Sequence, residues 1–152
     1  MKLATIALAA LVVLGLGREA RAQQFTLTVS PASFTFPSND PDLVPIIAAD
    51  QPVDIGYKAA GMGKNGAWHL SIRANTDLVS GGDSISVTNI SWTAGAPLAS
   101  GTALTTSDQT LYSSIGNMTA IQHSLLTFSL ANSWTYKVGN YSTTIVFTLS
   151  AP

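Results

Sequence analysis

Cysteine is absent from this chain, and its absence removes thiolate catalysis, cysteine-held zinc and disulfide stapling together. A domain of this size manages without disulfides because its core is large enough; much smaller exported domains usually need them. Charge is nearly as scarce: seven Lys and Arg face eight Asp and Glu in 152 residues. Glutamate occurs once, at Glu19, inside the leading segment expected to be removed, so a paired-carboxylate glycosidase would have to rely on aspartates alone. Histidine occurs twice, at His69 and His123. No basic stripe is present, which argues against nucleic acid and anionic membrane surfaces as partners.

The one long hydrophobic run is at the start. Met1-Lys2 is a short positive opening, Leu3 to Leu16 is an apolar run of fourteen residues, and Ala20 and Ala22 place small side chains where a signal peptidase reads. The run is shorter than the about 20 residues of a spanning helix. Residues 1–22 are therefore expected to be a removed export signal, with cleavage before Gln23, leaving no membrane-spanning segment. The expected mature chain, residues 23–152, is one domain's worth of sequence. Its four basic side chains (Lys58, Lys64, Arg73, Lys137) face seven aspartates, a formal charge of −3. The expected location is extracellular or on the cell surface, or the periplasm and outer surface where the envelope has two membranes.

Period-two alternation runs through what remains. In Tyr141 to Ser150, Tyr141, Ile145, Phe147 and Leu149 share one face, while Ser142, Thr144, Thr148 and Ser150 share the other. Such alternation predicts a strand with one face in a core and one in water. Phe25, Leu27 and Val29 repeat the pattern, as do Trp68, Leu70 and Ile72. Weaker strands are predicted over 53–58, 84–92 and 125–131, with edge strands at 33–36 and near Leu111-Tyr112. Between Val87 and Ile90 the apolar phase changes, which predicts a bulge or kink near Thr88-Asn89. Residues 108–123 are the one region with room for a short helix. The stretch 93–108, rich in Ser, Thr, Ala and Gly, reads as a long connection crossing between sheets. The expected fold is an all-β, immunoglobulin-like Greek-key β-sandwich of about seven or eight strands.

Catalytic motifs are thin. No Gly-x-Ser-x-Gly elbow accompanies either histidine. The Gly61 to Gly66 loop matches neither nucleotide fingerprint. Asn39-Asp40-Pro41-Asp42 has the oxygen-rich look of a calcium loop but too few ligands, and reads as a turn using side-chain-to-backbone bonds. No catalytic residue, metal ligand or cofactor is expected. Three tryptophans remain. Trp68 alternates with core positions, whereas Trp92 and Trp134 lie beside polar turns and are the candidate binding residues, since exposed rings give large contact area at low entropic cost.

Trp68-His-Leu70-Ser-Ile72, then Asp77 to Gly82 and Ile85 to Trp92, resembles the first half of the WxL-type bacterial surface domain. The ending from Gly139 to Pro152 is similar to that family's closing strand, with Phe147-Thr148-Leu149 where a second Trp-x-Leu is expected. The resemblance implies a secreted β-sandwich held non-covalently on the cell wall, with wall polysaccharide, peptidoglycan or another surface protein as partner. The competing expectation is a pilus-like or coat-like structural subunit that assembles by strand addition, with itself among its partners. Both describe a non-catalytic module.

Overall fold

Alternating apolar and hydroxyl side chains become two sheets that share one core. A computed structural model describes residues 4–12 and 23–152. Its strands are β1 (Ala4–Val12), β2 (Gln24–Ser30), β3 (Ser33–Phe36), β4 (Ile46–Ala48), β5 (Val53–Ala60), β6 (Ala67–Ala74), β7 (Leu78–Ser80), β8 (Asp83–Ile85), β9 (Ile90–Ala94), β10 (Gln109–Ile115), β11 (Met118–Ala131) and β12 (Tyr141–Ser150). The protein is all-β: among the described residues the helical element is a single 3-10 turn, Val87–Asn89. No helix among them is long and apolar enough to cross a membrane.

The first sheet runs β10-β6-β12-β1-β3, with β7 on β12 and β8 on β7. The second runs β2-β5-β11-β4, with β9 also on β11. Aromatic rings bridge the two. Phe34 of β3 stacks on Phe128 of β11 with ring centroids 4.8 Å apart, and Trp68 of β6 meets Tyr57 of β5 at 6.4 Å. Tyr112 of β10 closes that second cluster, 5.5 Å from Trp68. The Trp68 indole donates to the Gly116 carbonyl at 3.0 Å, so its polar atom is satisfied inside the core.

The predicted inward faces are inward. Trp68, Leu70, Ile72, Tyr141, Ile145, Phe147 and Leu149 are all buried, and Leu27 and Val29 pack half-buried against the core beside buried Phe25. Residues 33–36 and 111–112 do belong to strands at the two ends of the first sheet. The stretch 93–108 does connect a strand of one sheet, β9, to a strand of the other, β10.

Three expectations change. There are twelve strands among the described residues, several of only three residues, where seven or eight were expected. The strand expected over 84–92 is two, β8 and β9, and of the bulge or kink expected near Thr88-Asn89 the chain makes a kink, the 3-10 turn Val87–Asn89. Ser86 Oγ accepts from the Thr88 N–H, Asp77 Oδ1 accepts from the Val87 N–H, and the chain resumes as β9 on the second sheet. Residues 108–123 hold no helix, because β10 and the start of β11 occupy them. β11 is fourteen residues long, and Thr119 to His123 are exposed on both faces, so no burial period marks them as a strand. Their pairing with β5, through Gln122–Tyr57 and His123–Gly56, makes them one.

Candidate functional site

The segment expected to leave the protein is part of its first sheet. β1 lies between β12 and β3: parallel to β12 over nine register positions, Ala4–Tyr141 through Val12–Leu149, and antiparallel to β3 from Ala4–Phe36 to Ala7–Ser33. Lys2, Arg18, Glu19, Arg21 and the Ala20/Ala22 pair, on which the cleavage expectation rests, lie outside the described residues. Ile6 and Leu8 alternate with Ala7 and Ala9, a period of two inside a run that reads first as an export signal. Ile6 is fully buried and Leu8 packs half-buried against the core, while Thr5 and Ala7 face water. Burying an isoleucine side chain contributes about 1.5–3 kcal/mol.

β1 thus fills a slot whose walls are built by the rest of the chain. One wall is β12, whose other edge is held by β6 from Ile145–Ala74 to Ser150–His69. The other is β3, which among the described residues pairs with no strand except β1. What anchors β3 on its far side is a side chain. Thr35 donates its N–H to Asp50 Oδ1 at 2.9 Å and its hydroxyl to Oδ2 at 2.8 Å, and the Asp50 N–H donates back to the Thr35 carbonyl at 2.9 Å. Gln51 Nε2 adds a bond to the Ser33 carbonyl at 3.2 Å. In a strand the peptide groups of alternate residues point to opposite edges. Thr35 and Ser33 are therefore committed to this clamp, and Phe34 and Phe36 present their peptide groups to the slot.

The two candidate tryptophans have different surroundings. Trp92 is 4% exposed. Its backbone exchanges two hydrogen bonds with Gly101, at 2.9 and 3.0 Å, and its indole donates to the Ala99 carbonyl at 2.9 Å. A Cβ on Gly101 would fall 2.2 Å from the ring, so the glycine is what lets the indole lie flat on that loop. Ser91, Trp92, Thr93, Ser100, Gly101 and Thr102 outline a shallow depression of about 420 Å³ above it.

Trp134 is 68% exposed and stands on a rim made by two loops. Its indole donates to Asp42 Oδ1 at 3.1 Å, and Asn132 Nδ2 donates to the carbonyls of Val44 and Asn39. Those bonds join residues 39–44 to residues 132–134, and exposed Leu43 and Val138 lie on the same two loops. Asp40 Oδ1 accepts from the Asp42 N–H at 2.9 Å, the turn bond expected of that motif.

Histidine chemistry does not converge. His123 Nδ1 lies 2.8 Å from Asp54 Oδ2 on the second sheet, whereas His69 Nε2 lies 3.1 Å from Ser150 Oγ on the first. A nucleophilic triad needs all three groups at one place; the two halves are on different sheets. Among the described residues, no group of three or more His, Asp or Glu side chains is placed to hold a metal ion. Among the described residues the buried Tyr57 hydroxyl has no hydrogen-bond partner, and burial pushes its phenol above the usual tyrosine value, with neighbouring Ser124 opposing the shift.

The chain matches no protein-family model, no curated protein and no solved structure.

The binding residues named from sequence thus divide into an enclosed Trp92 and an accessible Trp134. Sequence reasoning passed over the slot residues Ile6, Phe34 and Thr143. The signal for Ile6 was its alternation with alanine, which was masked by the overall hydrophobicity of the run.

Proposed function

We propose that this chain is an exported, non-catalytic structural module of the cell surface whose first sheet is completed by an added strand. The observation that carries the reading is the position of β1: the segment with export-signal character lies between β12 and β3, and it is the sheet partner that β3 has. Removal of residues 1–22 would leave a slot with two open edges, and open edges are templates for another strand. Strand addition then supplies both the missing core side chain and the missing backbone bonds.

The immunoglobulin-like Greek-key topology belongs to the same reading. Its support is the order of strands in the two sheets, where chain neighbours such as β2 and β3, or β9 and β10, fall on opposite sheets. In the likeness to WxL domains the paired motif residues Trp68, Leu70, Phe147 and Leu149 are all buried, so they support packing more than wall contact.

A second reading, binding of a wall polymer or surface protein, draws on the Trp134 rim, where an accessible indole is held in place by Asp42. Both readings place the protein outside the cytoplasm. Purified protein from an exporting host, sedimented with and without cell-wall sacculi and sized by light scattering, separates them. Particles or hetero-complexes that form without walls support strand addition. Saturable pelleting with walls, by a protein that stays monomeric alone, favours the rim and counts against it.

A further inference from the structure

Resting on the strand-addition reading, we infer that the slot recognises its occupant chiefly at one position, the Ile6 site, and that after leader removal this site takes a branched aliphatic side chain from a strand of another protein running parallel to β12. The leader is then a placeholder that marks the geometry of the true ligand.

Ile6 has a strand on either side. In register, its neighbours are Thr143 on β12 and Phe34 on β3. Phe34 is a fixed wall: its ring stacks on Phe128 at 4.8 Å and meets Phe36 edge-on at 5.5 Å. Thr143 is 6% exposed, and its hydroxyl donates to the Thr76 carbonyl at 2.7 Å. That bond occupies the hydroxyl donor, so the position favours an apolar partner. Thr143 is also the smallest of the inward residues of β12, between Tyr141 and Ile145. A short residue there leaves room that Ile6 fills. An alanine would leave a void and an aromatic ring would overpack against Phe34.

Elsewhere the slot is permissive. Leu8 is only half-buried opposite Ile145, and Ala10 is exposed opposite Phe147. The clamp of Asp50 and Gln51 holds β3 from its far edge, so the walls do not depend on β1 alone.

The occupant is assigned to a partner protein and not to a second mature copy. With cleavage before Gln23, one residue precedes β2, which is itself paired with β5 from Gln24–Ala60 to Ser30–Asp54. A copy would have to unzip that strand to donate it.

The test uses the chain purified from an exporting bacterial host, its ends read by intact mass. Three labelled peptides of residues 4–12, each with an added lysine tail for solubility, serve as probes: the natural one, Ile6→Ala and Ile6→Phe. Saturable binding of the natural peptide, with each variant weaker by about tenfold or more, is the expected result. Thr143→Leu in the chain should abolish capture while the rest of the sheet survives. Equal binding of all three peptides would overturn the Ile6 site and leave strand addition standing. No binding by a folded chain would overturn both. A secreted chain that retains residues 4–12, or one that assembles with itself through β2, overturns the assignment to a partner. Should the shortened chain fail to fold alone, refolding with each peptide is the readout. Recovery with the natural peptide alone supports the site, and equal recovery or none refutes it.

Discussion

Asp50 and Thr35 are joined by three hydrogen bonds, two into the carboxylate and one back from the Asp50 N–H, and this pair holds β3 at the edge away from β1. It is a side-chain substitute for a neighbouring strand. Bonds to a charged acceptor are stronger than neutral ones, although solvent exposure weakens them here.

Asp50→Asn should therefore destabilise the protein by about 1 kcal/mol, read from urea denaturation at neutral pH. The effect depends on pH with a definite sign. The Thr35 backbone N–H, with smaller help from its hydroxyl and from neighbouring backbone N–H groups, lowers the Asp50 carboxyl below its ordinary 3.8 against a weaker opposing burial effect. A lowered folded value means the contribution is complete above the unfolded value and is lost as the pH falls through the folded one. The gap between wild type and variant should hold at neutral pH and close below 3.8. A gap that persists into strong acid would show that the clamp does not act through the charge.

Trp68→Ala should cost about 3–5 kcal/mol, the range for large aromatic truncations in a core. The indole is buried, touches rings from both sheets and loses its bond to Gly116. An unchanged denaturation midpoint would contradict its place between the sheets.

Gly101→Ala should destabilise by about 1–3 kcal/mol through overpacking. The added methyl meets carbons of the Trp92 ring at 2.2 and 2.3 Å, and a large ring held by its own hydrogen bond cannot easily yield. Trp92→Leu in the same chain should remove most of that penalty. Strict additivity of the two changes in a double-mutant cycle would refute the contact.

Trp134→Ala should leave stability within about 0.5 kcal/mol of wild type, as for other exposed positions. The wall-binding reading requires the same variant to lose pelleting with sacculi. Full pelleting without this ring would remove the rim from consideration and leave the slot as the remaining site.

Strand positions were legible wherever one face met the core and the other met water. Tyr141 to Ser150 and Ala67 to Arg73 announce themselves by period two, because the pleat sends alternate side chains to opposite faces. Thr143 was the exception: a hydroxyl residue on the inward phase of β12, buried because its polar atom finds the Thr76 carbonyl. Thr119 to His123 were illegible for the opposite reason, since both faces are wet and leave no period to read. Trp92 and Trp134 looked alike beside their turns, and the difference between them depends on Gly101, nine residues from Trp92 in the chain, and on Asp42, ninety-two from Trp134.

By itself, then, the sequence determined the class: alternation, scarce charge and absent cysteine specify an all-β chain with an apolar core and no thiol chemistry. Tertiary structure decided which strands are neighbours, and with that the candidate site. Sheet pairing joins residues distant in the chain, so nothing local to Ile6 reveals that Phe34 and Thr143 lie on either side of it. A hydrophobic run reads the same whether a translocation channel or a sheet receives it; pairing with both β3 and β12 makes it a strand here.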